Sequence, residues 1–183
     1  MLPKPLPFAL ALALLAGCSH PAPSATPAPK PSSSPTIEPI HITGEGSDGA
    51  QTTFTAMHGN RKAYFLRAPS YTGGRDSAGH GNGRFVQPHV EFYDERGRTM
   101  TSDAPQATID ENKKSLVMTG GVRTRTQDGS LLTCDRLRYN SQTELIHGDG
   151  HVVLTSSQGA RFDGDVIDGD VRLEHASIRR LTK

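Results

Sequence analysis

Between Ala107 and Leu154 apolar and polar residues alternate at period two, break at a short polar run, and alternate again; the whole pattern is written twice. Ala107, Ile109, Leu116, Met118, Gly120, Val122 and Gly129 recur thirty residues later as Leu137, Tyr139, Ile146, Gly148, Gly150, Val152 and Gly159. A repeat of this kind is one supersecondary unit that cannot bury its apolar face alone and so stacks on its copy. Period-two alternation makes the unit two strands. Asp110–Lys114 and Asn140–Thr143 are the turns inside the units, and Gln127–Gly129 and Ser157–Gly159 the turns between them. Ile109, Leu116, Met118, Val122, Leu137, Tyr139, Ile146, Val152 and Leu154 then fall on one face. In a closed Ig-like sandwich that face is ordinary core. Left uncovered, it is a concave apolar groove suited to a ligand. The sequence shows no second run of comparable apolar strands to cover it, so an open groove is expected.

The same reading extends outward. Gln51–Met57 and Arg61–Ala68 read as strands around a turn at His58–Asn60, the second ended by Pro69. Tyr71–Gly83 holds five glycines without periodicity and reads as a loop. Val86–Tyr93 alternates, with Val86, Val90 and Phe92 on one face and Pro88 marking an edge or bulge. Asp94–Gly97 is a hairpin turn. Asp163-Gly164-Asp165 and Asp168-Gly169-Asp170 read as acidic turns. Val171–Ile178 reads as a last strand, leaving Val171, Leu173 and His175 on an edge open to a partner sheet. No segment from Ile42 on repeats apolar residues at helical spacing, so the expected class is all-β.

Residues 1–17 have a different character: Lys4, an apolar run from Phe8 to Leu15, then small residues. That is a secretory signal, too short for a membrane span. Leu15-Ala16-Gly17-Cys18 resembles the bacterial lipobox, which implies cleavage before Cys18 and its acylation by palmitate-type chains. Residues 18–41 follow as a tether carrying seven of the thirteen prolines, too poor in apolar residues to fold. Extended at about 3.1 Å per residue it reaches roughly 70 Å from a membrane surface. Residues 42–183 form the folded domain. Without Lys4 the formal net charge falls from +1 to 0, and no Lys/Arg cluster marks a nucleic-acid footprint. Cys134 has no partner for a disulfide and reads as a small hydrophobe. The 34% hydrophobic share suggests a thin core.

Chemistry is sparse. The Asp-Gly clusters invite a calcium reading, but no EF-hand spacing is present, and Asp and Gly are also what tight turns demand. His80 lacks companions at metal-ligand spacing. No nucleophile elbow, zincin helix or phosphate loop occurs, so neither catalysis nor a cofactor is expected.

From Phe85 to about Ile178 the chain resembles the LptC-like proteins of lipopolysaccharide export. The resemblance rests on Val90-Glu91-Phe92-Tyr93-Asp94 with Gly97, on Ala107-Thr108-Ile109-Asp110, and on Leu116-x-Met118-x-Gly120-Gly121-Val122. Leu132-Thr133, Leu137-x-Tyr139-Asn140 and Gly150-x-Val152 complete it. It implies an open, twisted β-jelly-roll of stacked antiparallel strand pairs on the periplasmic side of the envelope. Its interior would hold acyl chains of lipopolysaccharide, and its edges would pair with other jelly-rolls in a bridge from an inner-membrane ABC transporter. Typical members carry a transmembrane helix, whereas here the anchor reads as lipid on Cys18. Ser19 after the cysteine leaves inner- and outer-membrane residence both open. A module of the same fold serving another envelope lipid or protein, and a calcium-stabilised β repeat, are the alternatives.

Overall fold

The alternation that dominates the sequence is realised as strands, and a computed structural model describes residues 40–45 and 51–182. Thirteen strands make one sheet: β1 (Ile40–Glu45), β2 (Thr52–His58), β3 (Arg61–Ala68), β4 (Ser70–Arg75), β5 (Gly81–Val86), β6 (His89–Asp94), β7 (Gly97–Asp103), β8 (Gln106–Asp110), β9 (Ser115–Thr126), β10 (Leu131–Asn140), β11 (Leu145–Thr155), β12 (Arg161–Asp170) and β13 (Ser177–Arg179). Every pairing is antiparallel, the sheet does not close, and no helix occurs among the described residues. This is the open β-jelly-roll expected from the sequence.

The sheet branches at β9. One path runs β1-β4-β5-β8-β9-β10-β11-β12-β13; the other, β2-β3-β6-β7, joins β9 further along. The branches are two halves of the same long strands. β3 continues into β4, β5 into β6 and β7 into β8, each interrupted at one level by proline: Pro69, Pro88 and Pro105. Pairing carries across the interruptions, because Gln87 N donates to Pro105 O at 2.8 Å and Ala104 N to Pro88 O at 3.4 Å. The later strands bend at the same level by other means. β9 has Gly120 and Gly121 at φ 94° and 95°. β10 shifts register between Cys134 and Arg136, and β11 between Asp149 and Val152, around Gly150 and His151. Proline removes a ladder donor and fixes φ, glycine admits positive φ, and a bulge bends its strand. Together they draw one crease across the sheet.

Folding on the crease lays the β2-β3-β6-β7 branch over the ends of the late strands. Tyr64 and Phe92 meet Tyr139 edge-on, with ring centroids 5.8 and 4.9 Å away. Arg61 pairs with Glu144, and Arg172 with Asp94, clipping the two layers at their rims. Between the layers lies a core that includes Leu66, Val90, Phe92, Met100, Leu116, Met118 and Ile167, all at most 1% exposed. Each such side chain contributes about 1.5–3 kcal/mol on burial.

The written repeat is a pair of hairpins, β8–β9 and β10–β11, with turns at matching positions. Asp110 Oδ1 accepts from Lys113 N, and Asn140 Oδ1 from Gln142 N and Thr143 N. Lys114 and Glu144 close the two turns at φ 51° and 58°. A third turn follows with Asp170 at the same spacing: its Oδ1 accepts from Arg172 N, and Leu173, one residue earlier in the turn than Lys114 and Glu144, takes φ 59°.

Four expectations need correction. Tyr71–Gly83 is a hairpin, not a loop: β4 and β5 pair, with Asp76 Oδ1 accepting from Ala78 N and His80 N at the turn. Its glycines lack periodicity because Gly73 and Gly83 face each other under the Tyr71 ring, where no side chain fits. Val86 ends β5 on the outside, 44% exposed, because the crossing at Gln87 (φ 48°) and Pro88 changes the parity before Val90. Both Asp-Gly-Asp clusters lie inside β12. Gly164 and Gly169 serve close approach there, since a Cβ at Gly164 would strike Ile178 and one at Gly169 would stand 3.2 Å from His175 O. The last strand is only Ser177–Arg179; Val171, Leu173 and His175 lie in the preceding turn. Asp170 starts that turn by capping amides that a strand would spend on its neighbour.

Candidate functional site

The register places the sequence-derived apolar residues in rows across the sheet. One row runs Gly73–Gly83–Ile109–Leu116–Tyr139–Ile146, and the next runs Tyr71–Phe85–Ala107–Met118–Leu137–Gly148. Val122, Val152 and Leu154 lie beyond the crease on the same inner face, with Leu132 paired to Leu154. All nine residues named as groove lining are therefore brought together. The expectation that they lie uncovered does not hold in this conformation: none exceeds 9% exposure. The covering layer is β3 and β6, whose Tyr64, Leu66, Val90 and Phe92 pack onto them. Those strands were visible in the sequence, but the crease that turns them over the repeat was not.

The interior opens at one end. Two cavities, about 190 and 160 Å³, flank Phe54 and share Phe54, Ile109 and Glu111 in their walls. The first continues along Tyr71, Gly83 and Phe85 towards Arg75; the second runs beside Tyr64 and Met57 towards Lys114. Glu111 holds the rim, accepting from Gly81 N at 2.7 Å while its own amide donates to Gly81 O at 3.0 Å. Phe54 and Tyr71 sit in segments that alternate weakly or not at all, and no sequence signal joined them to the repeat. At the opposite end Phe162, paired with Leu154, is 51% exposed. β13 covers β12 only at Val166–Asp168, so the outer edge of Arg161–Asp165 has no paired strand among the described residues.

Electrostatics at the core are those of an apolar site. Burial pushes the Cys134 thiol up to about 12, which keeps it protonated and unreactive. Burial likewise raises the Tyr64 and Tyr139 phenols. Tyr139 Oη is buried with no hydrogen-bond partner among the described residues. An unmet hydroxyl of this kind costs about 1–3 kcal/mol. Tyr139→Phe is thus expected to leave the thermal midpoint unchanged or raise it, whereas Tyr139→Ala should cost about 3–5 kcal/mol by opening a cavity. Thermal melts of the two variants check the contrast.

At the rim, the bonded Arg172 guanidinium holds the Asp94 carboxyl below its ordinary 3.8. A depressed carboxylate stabilises the fold above its unfolded pKa, and the contribution is lost as pH falls through the folded pKa. Asp94→Asn should therefore lower the melting temperature at pH 6, and the two proteins should converge as the pH drops below 3.8. Melts across pH 2–7 would show it.

Cys18 and the signal segment lie outside the described residues, as do residues 18–39 of the tether. The described residues thus form a two-layered apolar interior with an opening beside Phe54 and an unpaired edge at Arg161–Asp165. A protein-family model described as "Lipopolysaccharide-assembly, LptC-related" matches residues 62–178, and the chain belongs to that family. No curated protein matches the chain.

Proposed function

We propose that the protein is a non-enzymatic lipid-transport component. It cradles lipopolysaccharide acyl chains between the two layers of its folded sheet and passes them along a bridge of like jelly-rolls from an inner-membrane ABC transporter. The observation that carries this reading is the continuous apolar inner face running from the repeat to the opening at Phe54, in a chain of the LptC-related family. Acyl chains entering there replace core contacts with lipid contacts at little net cost, because both are apolar. Ile109 stands at the opening; Leu116, Tyr139 and Ile146 follow it across the sheet in the same row, with Met118 in the next.

Partners would add strands to the sheet. With Val171, Leu173 and His175 in a turn, the surface for this is the Arg161–Asp165 edge with Phe162 beside it. The tether and an acylated Cys18 would hold the domain on the periplasmic side of a membrane; Cys18→Ser should abolish incorporation of a fatty-acid label. The decisive experiment is photo-crosslinking in cells with a reactive residue at Ile109, Leu116 or Met118. Capture of lipopolysaccharide at these inner positions, and not at outward-facing Arg138, supports the reading. Capture at none of the three overturns it.

A further inference from the structure

The inner row Gly73–Gly83–Ile109–Leu116 runs without interruption from the core to β4, and its positions on β4 and β5 carry no side chain. What fills that trough is the ring of Tyr71, which leans along β4 over both glycines. A Cβ at Gly83 would sit 2.6 Å from Tyr71 Cε2, and one at Gly73 would overlap the Tyr71 hydroxyl. The ring also packs on Phe85, with centroids 4.9 Å apart. Tyr71 thereby forms one wall of the cavity of about 190 Å³ that begins at Ile109 and Phe54. Arg75, four residues further on the same strand, lines the outer end of that cavity, with no carboxylate in ion-pair range among the described residues.

We propose that Tyr71 is a movable plug, and that the trough beneath it takes a single acyl chain of an anionic amphiphile whose headgroup meets Arg75. This deepens the lipid-carrier reading and rests on it. Glycine makes the plug workable in two ways. With the ring down, the two glycines let it lie flat against the backbone, so the cavity stays short. With the ring swung out, they leave a channel continuous with Ile109, which larger residues would fill. The apolar trough selects the chain, and the guanidinium at its mouth selects an acidic head. Lys114 lines the second cavity instead, on the far side of Phe54, so the two openings are chemically separate.

The test is equilibrium binding of 11-(dansylamino)undecanoic acid to the full domain, followed by fluorescence and by displacement with purified lipopolysaccharide. Tyr71→Ala is expected to bind the probe on the order of tenfold more tightly than the wild type, because one more stretch of chain is buried. Tyr71→Phe should match the wild type, since it keeps the plug. Tyr71→Trp should bind more weakly, and Arg75→Gln should weaken the acid while sparing the corresponding uncharged amide. Circular dichroism melts establish that each variant folds, and the Phe and Trp variants preserve the test if the Ala variant does not. Equal or weaker binding by a folded Tyr71→Ala, beside a wild type that binds, overturns the plug and leaves the carrier reading standing. Absence of binding by every protein overturns both.

Discussion

Val122→Arg is expected to unfold the domain. Val122 stands on β9 opposite Cys134 and is 1% exposed, inside the layer formed where β9, β10 and β11 bend together. An unpaired guanidinium there costs several kcal/mol, against a total stability of about 5–15 kcal/mol for a domain. Had the inner face been an open groove, the long arginine stem would reach water and the fold would survive. Circular dichroism separates the two. Loss of the β signal at room temperature is the expected result; a cooperative melt near that of the wild type would mean that the layers part in solution far enough to hydrate the charge.

The second large effect is at the crease. Gly120→Val should destabilise the domain by about 3 kcal/mol or more, and Gly121→Val by less. Both glycines hold φ near +95°, a conformation that costs an L-residue about 1–3 kcal/mol. Only Gly120 adds a clash: its Cβ would lie 3.0 Å from Pro105 Cγ, in the ring that carries the β7–β8 crossing, whereas a Cβ at Gly121 meets nothing within 4 Å. Denaturant titrations of the two variants measure the difference. Equal destabilisation would show that backbone strain alone is at stake and that Pro105 yields freely.

What could be read in the sequence follows from how local each cause is. The hairpins of the repeat were legible because alternation, turn residues and the spacing of Gly120 and Gly150 act within about thirty residues. Asp170 continued the series of Asp110 and Asn140, and that series was the available sign that a turn, not a strand, follows β12. β7 does not stand out as a strand of its own because Arg98, Thr99 and Thr101 carry little apolar signal, and two of its three buried positions, Thr99 and Ser102, are hydroxyls. Ser102 Oγ and Thr124 Oγ1, for example, lie 2.7 Å apart inside the fold. The glycines of β4 and β5 misled for another reason. They answer to Tyr71 across the strand, a relation that exists only once the register is set. The nine apolar residues of the inner face were legible from their alternation, yet their cover was not. The cover depends on Pro69, Pro88 and Pro105 falling at one level of three different strands, and nothing in the linear order of the chain aligns them.

β9 has a kinetic consequence. Among the described residues it is the one strand with partners in both branches: its first half pairs with β8 and its second half with β7. The hairpin of β6 and β7 and that of β4 and β5 can each form from neighbouring residues, but the edges of β7 and β8 stay unsatisfied until Ser115–Thr126 docks across them. During synthesis the chain must therefore be available as far as Thr126 before the edges of β7 and β8 are both closed. Until then unpaired edges stand exposed, the condition in which β-sheet proteins aggregate or recruit a chaperone. Substitutions within β9 should accordingly slow folding more than they speed unfolding, the mark of a strand that belongs to the folding nucleus.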